Sequence, residues 1–327
     1  RELVEASNIQ AFMKQVGVAD YDALLERADA DPQWFWAAVV GLLRFYQPYE
    51  RLLDVERGIP FGRWCIGGKT NIVLNCLDCH RGTPPWEREV LVWESEAGAI
   101  VRWTYADLDA EVSKLAHGLR DLGIASGEVV GMHLPNIPHA VAAFLACAKI
   151  GAIVLPLFSG FGANALADRL RAAGAAAVIT ADGTSRRSTL VAMKAVADEA
   201  AASVPTLRHM IVVRNNGVAV EWRAGRDHWL HELTAGRDAQ FATVELPADA
   251  PLMLMYTSGT SGKPKGTVHT HIGFAAKTRL DIGLIMDLKP GDRLLWMSDM
   301  GWLVGPIVAT AVPLHGASLV LAEGSPD

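Results

Sequence analysis

Residues 252–266 read Leu-Met-Leu-Met-Tyr-Thr-Ser-Gly-Thr-Ser-Gly-Lys-Pro-Lys-Gly, an apolar run followed by a loop of glycine, hydroxyl and lysine side chains. The run Leu252–Met255 predicts a buried strand of a parallel sheet. Glycines let backbone N–H groups turn toward an anion, hydroxyls add donors, and lysines neutralise charge. Such a loop after a core strand indicates a polyphosphate site, because phosphate oxygens take many short hydrogen bonds at once.

Two alternatives compete with a phosphate loop. A Walker A motif, G-x-x-x-x-G-K-[ST], does not fit, because Gly259 and Gly262 are three residues apart and Pro264 follows Lys263 where a hydroxyl is required. A flexible surface linker is the simpler alternative, since loops of glycine, serine and threonine are common. The ordered Thr/Ser/Gly core followed by Pro-Lys-Gly is much rarer than that composition, and it favours phosphate binding.

Four further motifs accompany this loop. They read Asn75-Cys76-Leu77-Asp78-Cys79-His80, Trp103-Thr104-Tyr105-Ala106-Asp107-Leu108, Arg226-Asp227-His228-Trp229-Leu230-His231-Glu232-Leu233 and Asp299-Met300-Gly301-Trp302. With the loop Tyr256–Gly266, and in this order, they resemble the adenylate-forming superfamily, and within it the acyl-CoA synthetases close to acetyl-CoA synthetase. The resemblance extends from about Trp34 to the last residue.

The resemblance implies an AMP-forming carboxylate–CoA ligase. A small carboxylic acid would react with ATP to give an acyl-adenylate and pyrophosphate, and CoA would then take the acyl group as a thioester. Preorganised donors and a metal must meet the charge that develops on the pyrophosphate, so Mg²⁺ is expected with ATP. ATP, Mg²⁺ and CoA are therefore the expected substrates and cofactors.

Site residues follow from the loop and from the resemblance. The residues expected to bind the ATP phosphates are Thr257, Ser258, Gly259, Thr260, Ser261, Gly262, Lys263, Lys265 and Gly266, with Thr260 meeting Mg²⁺ through ATP. The resemblance places Gly301 and Trp302 at the acyl or adenylate pocket, and a core position is the alternative for Trp302. Possible CoA contacts are Gly160, Phe161, Gly162, Arg169, Arg186 and Arg187. Solvated surface charges are the alternative for these arginines.

The chain departs from the superfamily in length and at one cysteine. The catalytic lysine of the superfamily lies in a small C-terminal domain, and that domain has no counterpart by Asp327. No lysine here is therefore assigned that role, and we expect this portion alone to be inactive. Related synthetases usually carry arginine where Cys79 stands, which leaves the role of that arginine open.

The 327 residues predict about two domains. Residues 1–89 are expected to form an aromatic-rich cap in which 50–57 is a short charged helix. From residue 90 onward strands alternate with helices, which predicts an α/β fold with doubly wound, mostly parallel sheets. This part, 90–327, corresponds to an AMP-binding domain that is incomplete at its C-terminal side.

Charge and hydropathy exclude several classes of partner. The net charge of −6 argues against sequence-independent binding to nucleic acid, which needs a basic surface. No secretory leader is recognisable, and Lys149, Gly151 and Pro156 interrupt the most apolar segment, 140–158. These features predict a cytoplasmic protein with neither a nucleic-acid nor a membrane partner.

The cysteines offer a metal or haem alternative. Cys76-Leu77-Asp78-Cys79-His80 has the C-x-x-C-H spacing of haem attachment, and with Cys65 it offers soft zinc ligands. Haem attachment of this kind belongs to exported proteins, and no second C-x-x-C is present to complete a zinc site. Free thiols are the favoured interpretation.

A second glycine motif gives a further alternative. Gly160-Phe161-Gly162-Ala163-Asn164-Ala165 has the pattern G-x-G-x-x-A after a predicted strand, and Asp182 follows about twenty residues later. A nicotinamide-dependent oxidoreductase is therefore an alternative function, as is a fragment that binds nucleotide without catalysis. The dinucleotide pattern usually follows the first strand of its unit, and it would leave the loop at Tyr256 unexplained.

Overall fold

The N-terminal segment consists of short helices with well-formed caps. The computed structural model describes residues 2–187, 189–257 and 265–323. The helices are α1 (Glu2–Glu5), α2 (Asn8–Val16), α3 (Tyr21–Ala30) and α4 (Pro32–Val40). Ser7, Asp20 and Asp31 cap the last three by accepting N–H groups of the first turn. The aromatic rings of Phe12, Phe35 and Trp36 then fix these helices against one another in edge-to-face contacts.

Short strands and turns connect this segment to the main sheets. They are β1 (Arg51–Asp54), β2 (Arg63–Ile66), β3 (Lys69–Thr70), α5 (Ile72–Cys76), β4 (Glu89–Glu94) and β5 (Ile100–Thr104), with 3-10 turns at Ile59–Phe61, Asp78–His80 and Pro84–Glu87. The helix predicted over 50–57 is wrong. Leu53 lies opposite Trp64 in an antiparallel β1–β2 pair, and Trp64 packs on Trp36 at 6.0 Å. Tertiary packing here overrides a local preference for helix.

The main part of the chain alternates strands and helices, as predicted. Its first elements are α6 (Tyr105–Asp121), β6 (Val129–His133), α7 (Pro138–Ile150), β7 (Ile153–Pro156), α8 (Ala163–Ala172), β8 (Ala177–Ala181), β9 (Thr184–Arg186), β10 (Thr189–Val191), α9 (Met193–Ala201) and β11 (His209–Val213). The later ones are β12 (Asp227–Trp229), α10 (Leu230–Thr234), β13 (Leu246–Pro247), β14 (Pro251–Thr257), β15 (Lys265–Thr270), α11 (His271–Thr278), a π-helical segment (Arg279–Ile285), β16 (Arg293–Leu295), α12 (Val304–Leu314) and β17 (Ser318–Ala322).

The larger sheet has seven strands in the order β12-β11-β8-β6-β7-β14-β15. All neighbours are parallel except β14 and β15, which form an antiparallel pair. From β6 the chain moves to β7 on one side and then returns to β8 on the other. The order of the strands therefore reverses at β6, and in open α/β sheets ligands bind beyond the carboxyl ends of the strands at such a point.

Apolar side chains cover both faces of this sheet. Val154, Ile179 and Ile211 face the core that contains the mostly apolar helix α7, whereas their neighbours in sequence face α8 and α9. Burial on both faces explains why these strands read as continuous apolar runs. The predicted α/β, doubly wound, mostly parallel fold is confirmed.

A second sheet of four strands has the order β16-β17-β4-β5. The sequence predicts a hairpin from 90–93 and 99–103, followed by a helix that Thr104 and Asp107 cap. The β4–β5 pair and the capping box of Thr104 and Asp107 at the start of α6 confirm both. Three two-stranded pairs complete the sheets among the described residues: β1–β2, β9–β10 and β3–β13.

Candidate active-site cleft at the reversal of strand order

A cleft of about 530 Å³ lies at the carboxyl ends of β6, β7 and β8. Pro135 and Asn136 follow β6, Phe158 and Ser159 follow β7, and the β9 strand after β8 supplies another wall. The loop from Met297 to Trp302 closes the remaining side. This is the position at which the reversal of strand order predicts ligand binding.

Asp299 joins two walls of this cleft. Its carboxylate accepts hydrogen bonds from the backbone N–H of Gly301 at 2.8 Å and of Ser159 at 3.3 Å, and from the hydroxyl of Ser159. Burial raises the pKa of Asp299, although these hydrogen bonds act in the opposite direction. Asp299 thus holds the loop after β7 against the loop before α12. Sequence reasoning named this motif but assigned no role to the carboxylate.

Gly301 fits where no larger residue can. A Cβ at this position would lie 2.1 Å from the backbone nitrogen of Phe158. Trp302, next to it, lines the cleft with 61% of its surface exposed and packs on the Phe158 ring at 5.9 Å. Trp302 is therefore not a core residue but lines the cleft, whereas Gly301 packs behind it against the backbone of Phe158.

We expect Gly301→Ala to lower the free energy of unfolding by about 1–3 kcal/mol, because the new methyl group meets backbone that cannot rotate away. Gly162→Ala is the matched control in the facing loop, since nothing lies within 4 Å of a Cβ built there. Urea unfolding of both variants measures the difference. Equal costs for the two substitutions would contradict the role assigned to Gly301.

The possible CoA residues lie on one flank of the cleft. Arg186 and Arg187 line it directly, and the guanidinium of Arg186 lies over the Phe158 ring at 5.5 Å. Arg187 has a φ of +50°, a conformation uncommon outside glycine. Arg169 instead lies over the Phe161 ring at 4.2 Å and donates to a backbone carbonyl of its own helix, so it supports the flank without lining the cleft.

The two glycines of this flank differ. A Cβ at Gly160 would lie 2.6 Å from the Phe158 ring and 2.8 Å from the Arg186 guanidinium, whereas Gly162 is the N-cap of α8.

The dinucleotide alternative needs a free carboxylate at Asp182. That carboxylate already accepts four backbone N–H groups, those of Gly183, Asn215, Asn216 and Gly217. The hydrogen bonds of Asp182 therefore argue against a ribose-binding role.

The predicted phosphate loop follows β14 and precedes β15, which pair as antiparallel strands. The β14–β15 ladder ends at the pair Thr257 and Lys265, and both residues are exposed. The remaining predicted phosphate ligands lie outside the described residues: Ser258, Gly259, Thr260, Ser261, Gly262 and Lys263. Gly266 packs beside the Tyr256 ring. Because β14 runs parallel to β7, Thr257 and Lys265 at the end of the ladder lie at the sheet edge at which the cleft lies.

The structure gives the C-x-x-C-H motif other contacts. The Cys76 thiol donates to the carbonyl of Thr310, that of Cys79 to the carbonyl of Asn75, and His80 Nε2 lies 2.7 Å from the carbonyl of Pro313. No group of three or more His, Cys, Asp or Glu side chains able to hold a metal occurs in residues 2–187, 189–257 and 265–323. Cys65 is also free and buried.

In the part of the chain that the structure describes, no helix is both long and apolar enough to span a bilayer.

Two family models match the chain. Residues 80–327 match the model described as AMP-binding enzyme, and residues 21–76 match the model described as Acetyl-coenzyme A synthetase N-terminus. The chain therefore belongs to the AMP-binding enzyme family. The resemblance drawn from its motifs is confirmed.

Individual relatives are acetyl- and acetoacetyl-CoA synthetases. The chain is 40% identical over 309 residues to the acetyl-coenzyme A synthetase of Mycobacterium tuberculosis, covering 93% of this chain and 47% of that protein. It is 37% identical over 315 residues to that of Deinococcus radiodurans, covering 96% and 48%. The solved structure of acetoacetyl-CoA synthetase from Streptomyces lividans superposes with a TM-score of 0.91 at 31% identity, covering 99% of this chain and 50% of that one. The chain thus spans about half the length of these relatives.

Proposed function

We propose that the protein containing this chain activates a small carboxylic acid with ATP and transfers the acyl group to CoA. The observation that carries the proposal is the shared sheet edge, where the β14–β15 ladder ends beside the cleft that Arg186, Arg187 and Trp302 line. A carboxylate resists nucleophiles because of its negative charge. Joining it to AMP creates a mixed anhydride with a good leaving group, which a thiol can attack.

The loop between β14 and β15 would bind the β- and γ-phosphates of ATP. Backbone N–H groups and hydroxyls of residues 257–262 would donate to the phosphate oxygens, and Lys265 would add positive charge. The exposure of Thr257 and Lys265 supports this role, because neither is committed to the core. Mg²⁺ would be held chiefly by phosphate oxygens, with Thr260 acting on it through the bound ATP. When bound, it would neutralise charge on the leaving pyrophosphate.

The cleft would hold the acyl-adenylate and the incoming thiol. Gly301 and Trp302 would form the wall near the acyl group, and Asp299 would keep that wall fixed against Ser159. Arg186 and Arg187 would bind CoA phosphates, since guanidinium groups form strong paired hydrogen bonds with phosphate. Gly160, Phe161, Gly162 and Arg169 would shape this flank.

The proposed organisation has a cap in residues 1–89 and an AMP-binding part in residues 90–327. The matched ranges, 21–76 and 80–327, support a boundary in this portion of the chain. The inactivity of residues 1–327 alone stays a prediction, which detection of carboxylate- and CoA-dependent AMP formation by that fragment would refute.

The decisive test is the double substitution Thr260→Ala and Lys265→Ala in the full-length protein. We expect ATP–pyrophosphate exchange to fall on the order of a hundredfold or more, because donors that stabilise developing charge are lost. Lys277→Ala is the matched control, since this exposed lysine pairs with Asp281 on a helix outside the cleft. Undiminished exchange in the double variant would exclude the loop as the phosphate site.

A further inference from the structure

A second cavity, of about 370 Å³, lies away from the cleft. It is enclosed by α2, the π-helical segment, the C-terminal end of α12 and the turn at Pro84–Glu87. The proposed function uses none of its residues. π-helical turns are rare and occur frequently at functional sites, so the π-helical wall of this cavity indicates a candidate binding site.

Arg279 is the only charged side chain among the described residues that line this cavity. Its Nε atom is buried without a hydrogen-bond partner, and no described Asp or Glu forms an ion pair with it. Burial lowers the pKa of the guanidinium. The guanidinium is half-buried and has no carboxylate partner among the described residues, so its position favours an anion that would pair with it.

Two histidines beside Arg279 are held neutral. His315 is 5% exposed, its Nδ1 donates to the Ala311 carbonyl at 2.6 Å, and its Nε2 has no partner among the described residues. Burial, and next the charge of Arg279, lowers the pKa of His315 to about 4. The Nε2 of His80 is engaged with the Pro313 carbonyl, and burial lowers the pKa of that ring as well. Neither histidine therefore competes with Arg279 for an anion at neutral pH.

The backbone is shaped to admit His315. A Cβ at Gly283 would lie 2.1 Å from His315 Nε2, so only glycine fits at this point of the π-helical segment. Arg279 and His315 both line this cavity, and each carries one of the five buried polar atoms that lack partners in the described chain. The rest of the wall is largely apolar and includes Phe12, Leu42 and Leu284.

We propose that this cavity binds a small organic anion, a short-chain carboxylate, whose carboxylate pairs with Arg279 and whose hydrocarbon part lies against Phe12, Leu42 and Leu284. Arginine and carboxylate form paired, charge-assisted hydrogen bonds, and these are stronger away from bulk water. Burial of a hydrocarbon tail against the apolar wall would strengthen the binding of such an acid. α12 links the two sites, because it begins after the cleft loop at Trp302 and ends at the cavity.

Calorimetric titration of the chain with hexanoate tests the proposal, with hexanol and hexylamine as probes that lack the negative charge. We expect saturable binding of hexanoate and none of hexylamine. Arg279→Gln should weaken hexanoate on the order of tenfold to a hundredfold, the usual effect of losing a charge-assisted hydrogen bond, and Arg279→Lys should lose less. Arg171→Gln, a surface arginine paired with Asp168, is the matched control.

Two further variants keep the test independent of the cleft and of folding. Trp302→Ala alters the cleft and should leave the Kd of hexanoate unchanged. Ala11→Phe adds bulk from an exposed position on α2 at the rim of the cavity, so it should weaken hexanoate while acetate, with no tail, is little affected. Circular dichroism confirms that each variant is folded. Unchanged affinity in both Arg279→Gln and Ala11→Phe, or equal affinity for hexanol, overturns the proposal, as does the absence of saturable hexanoate binding.

Discussion

Between pH 7 and pH 4.5 the chain is expected to lose a large part of its stability. Three histidines, His133, His271 and His315, are at most 5% exposed. Burial lowers their pKa values to about 4, about 3 and about 4 respectively. Each must take up a proton in a place where water cannot solvate the charge.

Burial keeps these three rings neutral, and their hydrogen bonds do not offset it. His271 Nδ1 accepts the backbone N–H of Ile72 at 3.1 Å, which requires an unprotonated nitrogen. His133 Nδ1 lies 3.2 Å from the Thr180 hydroxyl, and His315 Nδ1 donates to a carbonyl. The Nε2 atom of each ring has no partner in the described part of the chain. No described carboxylate is hydrogen-bonded to any of them to stabilise an imidazolium ion.

The direction of the effect follows from linkage. A base whose pKa is lower in the folded state is protonated first in the unfolded chain. The contribution of these histidines to the free energy of unfolding is therefore fully present above pH 6.5. It is lost as the pH drops toward about 4. With one pKa unit worth about 1.4 kcal/mol, each histidine costs on the order of 3 kcal/mol at the lower end.

Asp227, Asp287 and Asp299 affect the pH dependence of stability differently from these histidines. The pKa values of Asp227 and Asp287 are lowered by their cationic and N–H partners against an opposing effect of burial, so their contribution is lost only below about pH 4. Asp299 has a raised pKa and acts in the opposite direction, because its protonation on acidification relieves a buried charge. One such group does not offset three histidines.

Urea unfolding at a series of pH values from 7.5 to 4.5 measures this loss. His271→Asn retains a hydrogen-bond acceptor for Ile72, so it should lower stability at pH 7.5 yet flatten the dependence on pH. His231→Asn changes an exposed histidine and serves as the control. Parallel pH profiles for His271→Asn and the parent chain would show that His271 does not contribute to the acid sensitivity.

The sequence predicted those features whose signals are local. The apolar run at Leu252–Met255, the hairpin before Thr104 and the capping box with Asp107 all appear as expected. Alternation of strands and helices gave the sheet type, because buried parallel strands and amphipathic helices have different periodicities. Gly301 and Trp302 came from the family resemblance, and the structure places Trp302 in the cleft together with Arg186 and Arg187.

Features that depend on distant partners could not be predicted. β15 was missed because Lys265–Thr270 is polar and exposed, so only its pairing with β14 makes it a strand. Residues 273–286 have the sequence pattern of one continuous helix, but the structure changes to a π-helical form at Arg279, and no local pattern indicates this. The bond between Asp299 and Ser159 joins residues 140 positions apart.

Lys149 is the clearest case of a residue whose importance only the structure reveals. In the sequence it merely interrupts an apolar segment. In the structure its side chain is 0% exposed, and its Nζ lies 3.2 Å from Asp78 and 3.4 Å from Asp109. Arg81 contacts both carboxylates from the solvent side, and the Thr243 hydroxyl donates to Asp78. Lys149 therefore fastens α7 to both the turn at Asp78 and α6.

Lys149→Met is expected to lower the free energy of unfolding by about 3–5 kcal/mol, because it leaves two carboxylates in a buried site with only Arg81 to balance them. Lys114→Met is the matched control. Lys114 also lies on a helix and pairs with Glu111 at 2.8 Å, but it is 32% exposed, so its loss should cost about 0–1 kcal/mol. Urea unfolding at pH 7.5 measures both.

Adding Asp109→Asn to Lys149→Met should recover part of the loss, since one unpaired negative charge is then removed from the site. The same Asp109→Asn substitution in the parent chain should instead destabilise, because it leaves Lys149 and Arg81 to share Asp78 alone. This change of sign separates an electrostatic role of Lys149 from simple packing of its long side chain. Equal effects of Asp109→Asn in both backgrounds would mean that packing accounts for the cost of Lys149→Met.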